Sequence, residues 1–298
     1  MASTNPTMGI FFLSQTVLGL LGNSALLCCF IIADLTGIKE KTTDPIVKHL
    51  TWANIMVLLV KGIPQTMAAF GQTYFLSDIS CKLIFYFHRV ARGVSLGSTC
   101  LLSVIQAITI SPSNSIWAQL KASASRIIGP SLGLCWALYL LVNSFLIMTV
   151  TDMREKGNLT EFRQFVYCLA VRASKQSYTV YLFLLSSSDV VCLGLMLWAS
   201  GSMVFILSQH KQRVQHIHRF LSHKLLPETK ATQSVLTLVS TFVVLYGASV
   251  ILILYFPSQD KTDTWLVNAS VAMSACFPAL CPFVLIRHYT RGFQLCST

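Results

Sequence analysis

Seven apolar stretches, each about 20 residues or longer, follow one another along the 298-residue chain with only short polar segments between them. About 20 apolar residues in one helix cross the hydrocarbon core of a bilayer. Inside lipid every backbone N–H and C=O must be paired within the segment, so helices are the expected form. The stretches lie near 8–33, 46–70, 82–108, 127–150, 178–207, 232–256 and 265–286. They predict an all-α membrane protein, a seven-transmembrane helix bundle forming one domain over 1–298, multi-pass in the plasma membrane. Composition agrees: mean hydropathy is +0.63 and 11% of residues are charged, against roughly 25% in soluble domains.

Charge placement sets the orientation. Residues 1–8 hold no Lys or Arg, and the first basic flanks, Lys39 and Lys41, follow the first span. The first span therefore reads as an uncleaved anchor, with the N-terminus outside and the C-terminus inside. On that layout the cytoplasmic segments carry a net +8 and the outer segments +1. Basic residues sort inward, as the positive-inside rule expects, so the net charge of +11 is an orientation signal and not a sign of nucleic-acid binding. Asn158-Leu159-Thr160, a glycosylation acceptor, falls in a loop placed outside. Asn268-Ala269-Ser270 also matches but sits at the mouth of span seven and reads as structural.

Such a layout fits a receptor that binds outside and signals inside, or a transporter or channel. Transporters often carry internal repeats and paired broken helices, and neither is visible here. No Gly-x-Ser-x-Gly, His-Glu-x-x-His or phosphate-binding glycine loop occurs, so the chain does not read as an enzyme. No Cys/His spacing marks a metal site, and no cofactor is expected.

A few ionisable groups lie inside the spans: Lys61 in span two, His88, Arg89 and Arg92 in span three, and Asp189 in span five. Each Arg, Lys or Asp facing lipid at mid-helix costs about 2.5–3.5 kcal/mol on insertion scales, so such residues face the bundle interior or a wet cavity. At about 1.5 Å rise per residue, all fall in the outer half or near the midplane. Asp189 can pair with Arg92 or Arg89 and fix packing, but one carboxylate cannot neutralise three cations. The surplus charge can snorkel to the interface or face a cavity that takes an acidic ligand, apolar-walled with few polar anchors. Gln65, Met67 and Tyr86 stand nearby in sequence. Pro64 is expected to kink span two, and Pro278 and Pro282 leave two readings of span seven, a twice-broken moving element or a static bend.

Eight of the ten cysteines lie in spans or in the C-terminal tail and read as small hydrophobes. Cys81 and Cys168 instead stand on the oxidising side. A bond between them would pin the loop 151–178 over the bundle. On the opposite side, 208–231 extends span five as a basic amphipathic helix with Lys211, Arg213 and Arg219. Two readings stay open: it lies against anionic headgroups of membrane lipid, or it docks an intracellular protein.

Several blocks resemble the vomeronasal type-1 receptors, chemosensory G-protein-coupled receptors: FLSQTVLGLLGN (12–23), VKHL (47–50), KGIPQTMAAFG (61–71), HRVARGVS (88–95) and TCLLSVIQAITISP (99–112). SSSDVVCLGLMLWASGSMV (186–204), HKQRVQHIH (210–218), ATQSVLTLVSTFV (231–243) and CFPALCPFVL (276–285) continue the match through six of the seven spans. The resemblance implies a pheromone-like small-molecule ligand, an inhibitory-type heterotrimeric G protein as partner, and a Cys81–Cys168 disulfide. It also matches the family at Lys61, Arg89, Arg92 and Asp189, the expected ligand-binding set, and at the third intracellular loop, where Lys211, Arg213 and Arg219 are expected to meet the G protein. Alternatives are a bitter-taste-like receptor or a transporter or channel. As in the family, span three ends Gln106-Ala107-Ile108-Thr109 and span six holds no proline or tryptophan.

Overall fold

The computed structural model describes residues 6–38, 40–72, 76–111, 117–151, 162–164, 168–171, 175–217, 236–245, 247–248 and 264–289. In order these form α1 (Pro6–Leu35), α2 (Asp44–Val57), a π-helical turn (Leu58–Gly62), α3 (Ile63–Ala69), α4 (Asp78–Ile110), α5 (Trp117–Asn143) and α6 (Leu146–Thr149). Strands β1 (Val150–Thr151), β2 (Phe162–Gln164) and β3 (Leu169–Val171) follow, then α7 (Lys175–Ile217), α8 (Leu236–Leu245) and α9 (Thr264–Tyr289). Five stretches are helical, long and apolar enough to cross a membrane: Pro6–Leu35, Asp44–Ala69, Asp78–Ile110, Gln119–Met148 and Ser186–Gln209. The apolar helices at Leu236–Leu245 and Val271–Ile286 are shorter among the described residues.

α4 is the central post. Two thirds of its apolar window (67%) is buried, against 17% for the windows of α5 and α7, so those two helices present their sides outward. Leu141 of α5 (75% exposed) and Phe183 of α7 (72%) show the result: a surface that water would penalise by about 25 cal/mol per Å² and that lipid accepts. The core joins Leu26 of α1, Ile46 and Leu50 of α2, Leu96 of α4, Met196 and Met203 of α7, Leu238 of α8 and Phe277 of α9.

The boundaries differ from expectation where polarity and helicity part company. The fourth helix begins at Trp117, ahead of the expected 127, and pauses at Asn143 before the short α6 carries the apolar stretch on to Thr149. Its first turns carry Lys121, Ser123, Ser125 and Arg126, which hydropathy rejects but a helix tolerates. At the other end Asn143 Nδ2 donates to the Tyr139 carbonyl and Ser144 Oγ to that of Leu141, and the helix stops. α7, by contrast, runs past 207 to Ile217, in line with the helical extension expected from 208 onward.

The segment read as a plain loop contains a small antiparallel sheet in the order β1-β3-β2, with Val150 opposite Ala170 and Gln164 opposite Leu169. Cys168, directly before β3, is bonded to Cys81 in the first turn of α4. Both sulfurs are buried with Ala68 and Val150.

Span seven is not twice broken: α9 runs unbroken with both prolines inside. Pro282 has no N–H for the carbonyl one turn back, that of Pro278. Asn23 Nδ2 of α1 supplies the donor at 2.9 Å. In span two the helix accommodates Pro64 differently, by loosening into the π turn that precedes it.

Candidate functional site

The π turn decides where Lys61 goes. Gly62 lets α1 come so close that a Cβ there would lie 2.4 Å from Thr16 Oγ1. Lys61 then reaches α9, where its Nζ donates to Ser274 Oγ at 3.4 Å. The Ser274 hydroxyl donates in turn to the Val271 carbonyl at 2.7 Å, leaving its lone pairs to the ammonium. One turn further out, Gln65 Nε2 donates to Asn268 Oδ1 at 3.3 Å. Asn268 of α9 is thereby tied to α3.

Arg89 and Arg92 are three residues apart on α4, on one side of the helix. Their charges act on Lys61 and, together with Lys61, on the buried His88. The structure therefore gathers three of the expected ligand-site residues into one positive cluster. Asp189 lies on α7, where its charge acts on Tyr139 of α5. Tyr86 turns the same way and donates to the Leu140 carbonyl of α5 at 3.1 Å.

Beneath the cluster a cleft opens between α2, α4, α8 and α9, lined by Val57, Arg92, Ser95, Phe242, Leu245, Met273, Ser274, Phe277 and Pro278. It encloses about 360 Å³ of empty space counting its mouth, and its closed part is narrow. The walls are apolar, with Arg92, Ser95 and Ser274 as the polar anchors. No lining residue described comes from α7, although the sequence reading placed span five around the ligand. Ser95, Ser274, Met273 and the two phenylalanines were missed from sequence. A serine in an apolar run is too common to be singled out.

The floor of the cleft is polar and sealed. Ser95 Oγ donates to Asn54 Oδ1 at 2.9 Å, and Asn54 is fully buried. Pro278, on the opposite wall, accepts from Asn23, which is also fully buried. Ser95 and Pro278 are thus tied by one hydrogen bond each to α2 and α1.

At the other end of the bundle Lys48 Nζ meets both oxygens of Asp34, at 3.0 and 2.8 Å, and Glu40 Oε1. Trp136 Nε1 of α5 donates to His49 Nδ1 of α2 at 3.1 Å. Lys211 and Arg213 stand on the helical backbone of α7, with side chains beyond what is described. Arg219 and the glycosylation acceptor Asn158 lie outside the described residues.

The family described as "Vomeronasal organ pheromone receptor family" matches residues 6–298. Vomeronasal type-1 receptor 4 of Pongo pygmaeus is 49% identical over 297 residues, covering 99% of this chain and 98% of its own. Vomeronasal type-1 receptor 2 of Homo sapiens is 46% identical over 286 residues, covering 96% of this chain and 72% of its own. Olfactory receptor class A-like protein 1 of Danio rerio is 29% identical over 294 residues, covering 97% and 92%. The chain therefore belongs to the vomeronasal type-1 receptor family: it is a multi-pass membrane protein and a chemosensory G-protein-coupled receptor, and no enzyme.

Proposed function

We propose that this receptor spans the membrane seven times as one domain, N-terminus outside, and that it binds a small acidic molecule in the cleft between α2, α4, α8 and α9. The observation that carries the reading is Arg92 in an apolar-walled cleft, with Lys61 anchored at its rim through Ser274. An anionic group on a small hydrophobe would meet Arg92 and Lys61 while its body meets Phe242, Met273 and Phe277. Charge-assisted hydrogen bonds are the strong ones in a desolvated site. Asp189 keeps a place at the periphery through Tyr139. Because the closed part of the cleft is narrow, a ligand selects a wider minor conformation and shifts the population toward it. That shift moves the ends of α4, α7 and α8, where Lys211, Arg213 and Arg219 meet an inhibitory-type G protein.

The test is G-protein activation in cells expressing the chain, with sulfated or carboxylated small hydrophobes set against their neutral parents. For an acidic agonist, Arg92→Ala removes a charged hydrogen bond of about 1.5–3 kcal/mol, a loss of roughly 10–150-fold in potency. The neutral parent should lose about threefold or less. Equal losses for both, at equal surface expression, would return Arg92 to a packing role.

A further inference from the structure

A buried nitrogen beside the cleft lacks a partner. His88 of α4 is 6% exposed, and among the described residues no group hydrogen-bonds its Nε2. Buried polar atoms in native proteins are almost always paired, so an orphan of this kind marks a place where water or a small ion binds.

The surroundings of His88 decide between the two. His88 and Arg92 are four residues apart, on one face of α4, and Arg92 lines the cleft. The π turn that carries Lys61 packs against α4. The charges of Lys61, Arg92 and Arg89 all act on His88, yet none of the three hydrogen-bonds its Nε2. A cation brought to this nitrogen would be repelled by all of them. Water would bring a dipole and no charge. A monovalent anion is attracted by each, and charges interact several times more strongly inside a protein than in water.

The hydrogen-bonding chemistry agrees. A neutral imidazole can present Nε2 as an N–H donor. Lys61 Nζ reaches Ser274 Oγ only at 3.4 Å, the long end of a hydrogen bond, and an ammonium has two further hydrogens. An arginine fork carries five donors and no acceptor. A lining made of donors is that of an anion site. The closed part of the neighbouring cleft is narrow, which favours a monatomic ion over an oxyanion.

We infer that a chloride ion sits between His88 Nε2, Lys61 and Arg92 in the resting receptor, and that an acidic agonist must displace it. The ion site stands by itself; its competition with an agonist rests on the function proposed above. Ambient chloride then sets the threshold for acidic ligands, and a neutral molecule in the cleft escapes that control.

The ion is sought first without agonist. The melting temperature of the purified full chain is followed as sodium chloride replaces sodium gluconate at constant ionic strength. It should rise and saturate, by about 3 °C at ten times the chloride dissociation constant. His88→Phe removes the donor from α4 and should flatten the rise. Lys61→Gln, on the π turn, is the second variant and should weaken it. His88→Gln, whose amide still donates, should keep part of it. Lys48→Gln removes a cation at the other end of the bundle and should keep all of it. A melting temperature indifferent to chloride, meaning that water serves His88, would overturn the site. So would a rise that never saturates or that survives both His88→Phe and Lys61→Gln, since salt then acts elsewhere.

Competition is read separately, in cells, with a sulfated hydrophobe and its neutral parent. A tenfold rise in chloride above its dissociation constant should lower the potency of the sulfated compound by up to about tenfold and leave the neutral one unchanged. Halide binding with no response to any sulfated compound would strike the agonist reading alone. Activation by sulfated compounds with no halide binding would strike the chloride site alone.

Discussion

A methyl group added at position 93 has nowhere to go: its carbon would lie 2.2 Å from the Tyr139 ring. Gly93 on α4 exists so that the fourth span can lie against the central post. Alanine is the better helix former by about 1 kcal/mol, but overpacking a sealed interface costs about 1–3 kcal/mol, and the rigid ring cannot yield. Gly93→Ala should therefore lower the melting temperature in detergent. Gly133→Ala, on the open side of α5 with nothing within 4 Å, should not. A fall of similar size for both would show that α5 packs on neither face as described. The glycines look alike in sequence, and only the position of Tyr139 separates them.

At the scale of the helices, α9 depends on α1. The Pro278 carbonyl is left without a partner by Pro282 and is completed by Asn23. Asn23→Leu leaves that buried carbonyl unpaired, at about 1–3 kcal/mol. Pro282→Ala restores the N–H within the helix, so the double variant should be more stable than the sum of the single losses predicts. A coupling energy near 1 kcal/mol, measured by thermal or denaturant unfolding, would be ordinary for residues sharing one acceptor. Strict additivity would mean that the Asn23 hydrogen bond contributes nothing. Because Pro278 also lines the cleft, Asn23→Leu should in addition shift basal or agonist-driven signalling.

For the molecule as a whole, one end of the bundle is capped by a sheet tied to α4 by one disulfide across 87 residues of sequence. In a soluble chain, removing such a link costs about 2–5 kcal/mol, mainly through the freed unfolded chain. Here the helices on both sides of the loop stay inserted when packing is lost, so the freed chain is much shorter than 87 residues. Cys168→Ser should therefore lower thermal stability by less than about 2 kcal/mol while exposing 152–174 to protease on intact cells. Cleavage confined to permeabilised cells would invert the proposed orientation. Treatment with an endoglycosidase provides a parallel reading, since the mass shift it causes should vanish in Asn158→Gln.

The membrane class and the helical form were legible in sequence because the hydrocarbon core has a fixed thickness and tolerates no unpaired backbone. The receptor family was legible in blocks such as KGIPQTMAAFG and HRVARGVS. So were the cations within the spans, since a charge in an apolar run stands out wherever it later points. Tertiary structure decided everything that depends on rotation and approach. It brought Lys61 to Ser274, set Arg92 rather than Asp189 on the wall of the cleft, and kept α9 whole by lending it a donor from α1. Those outcomes follow from which side each helix turns toward its neighbours. Hydropathy reports only how far a segment reaches across the bilayer, and it carries no record of that angle.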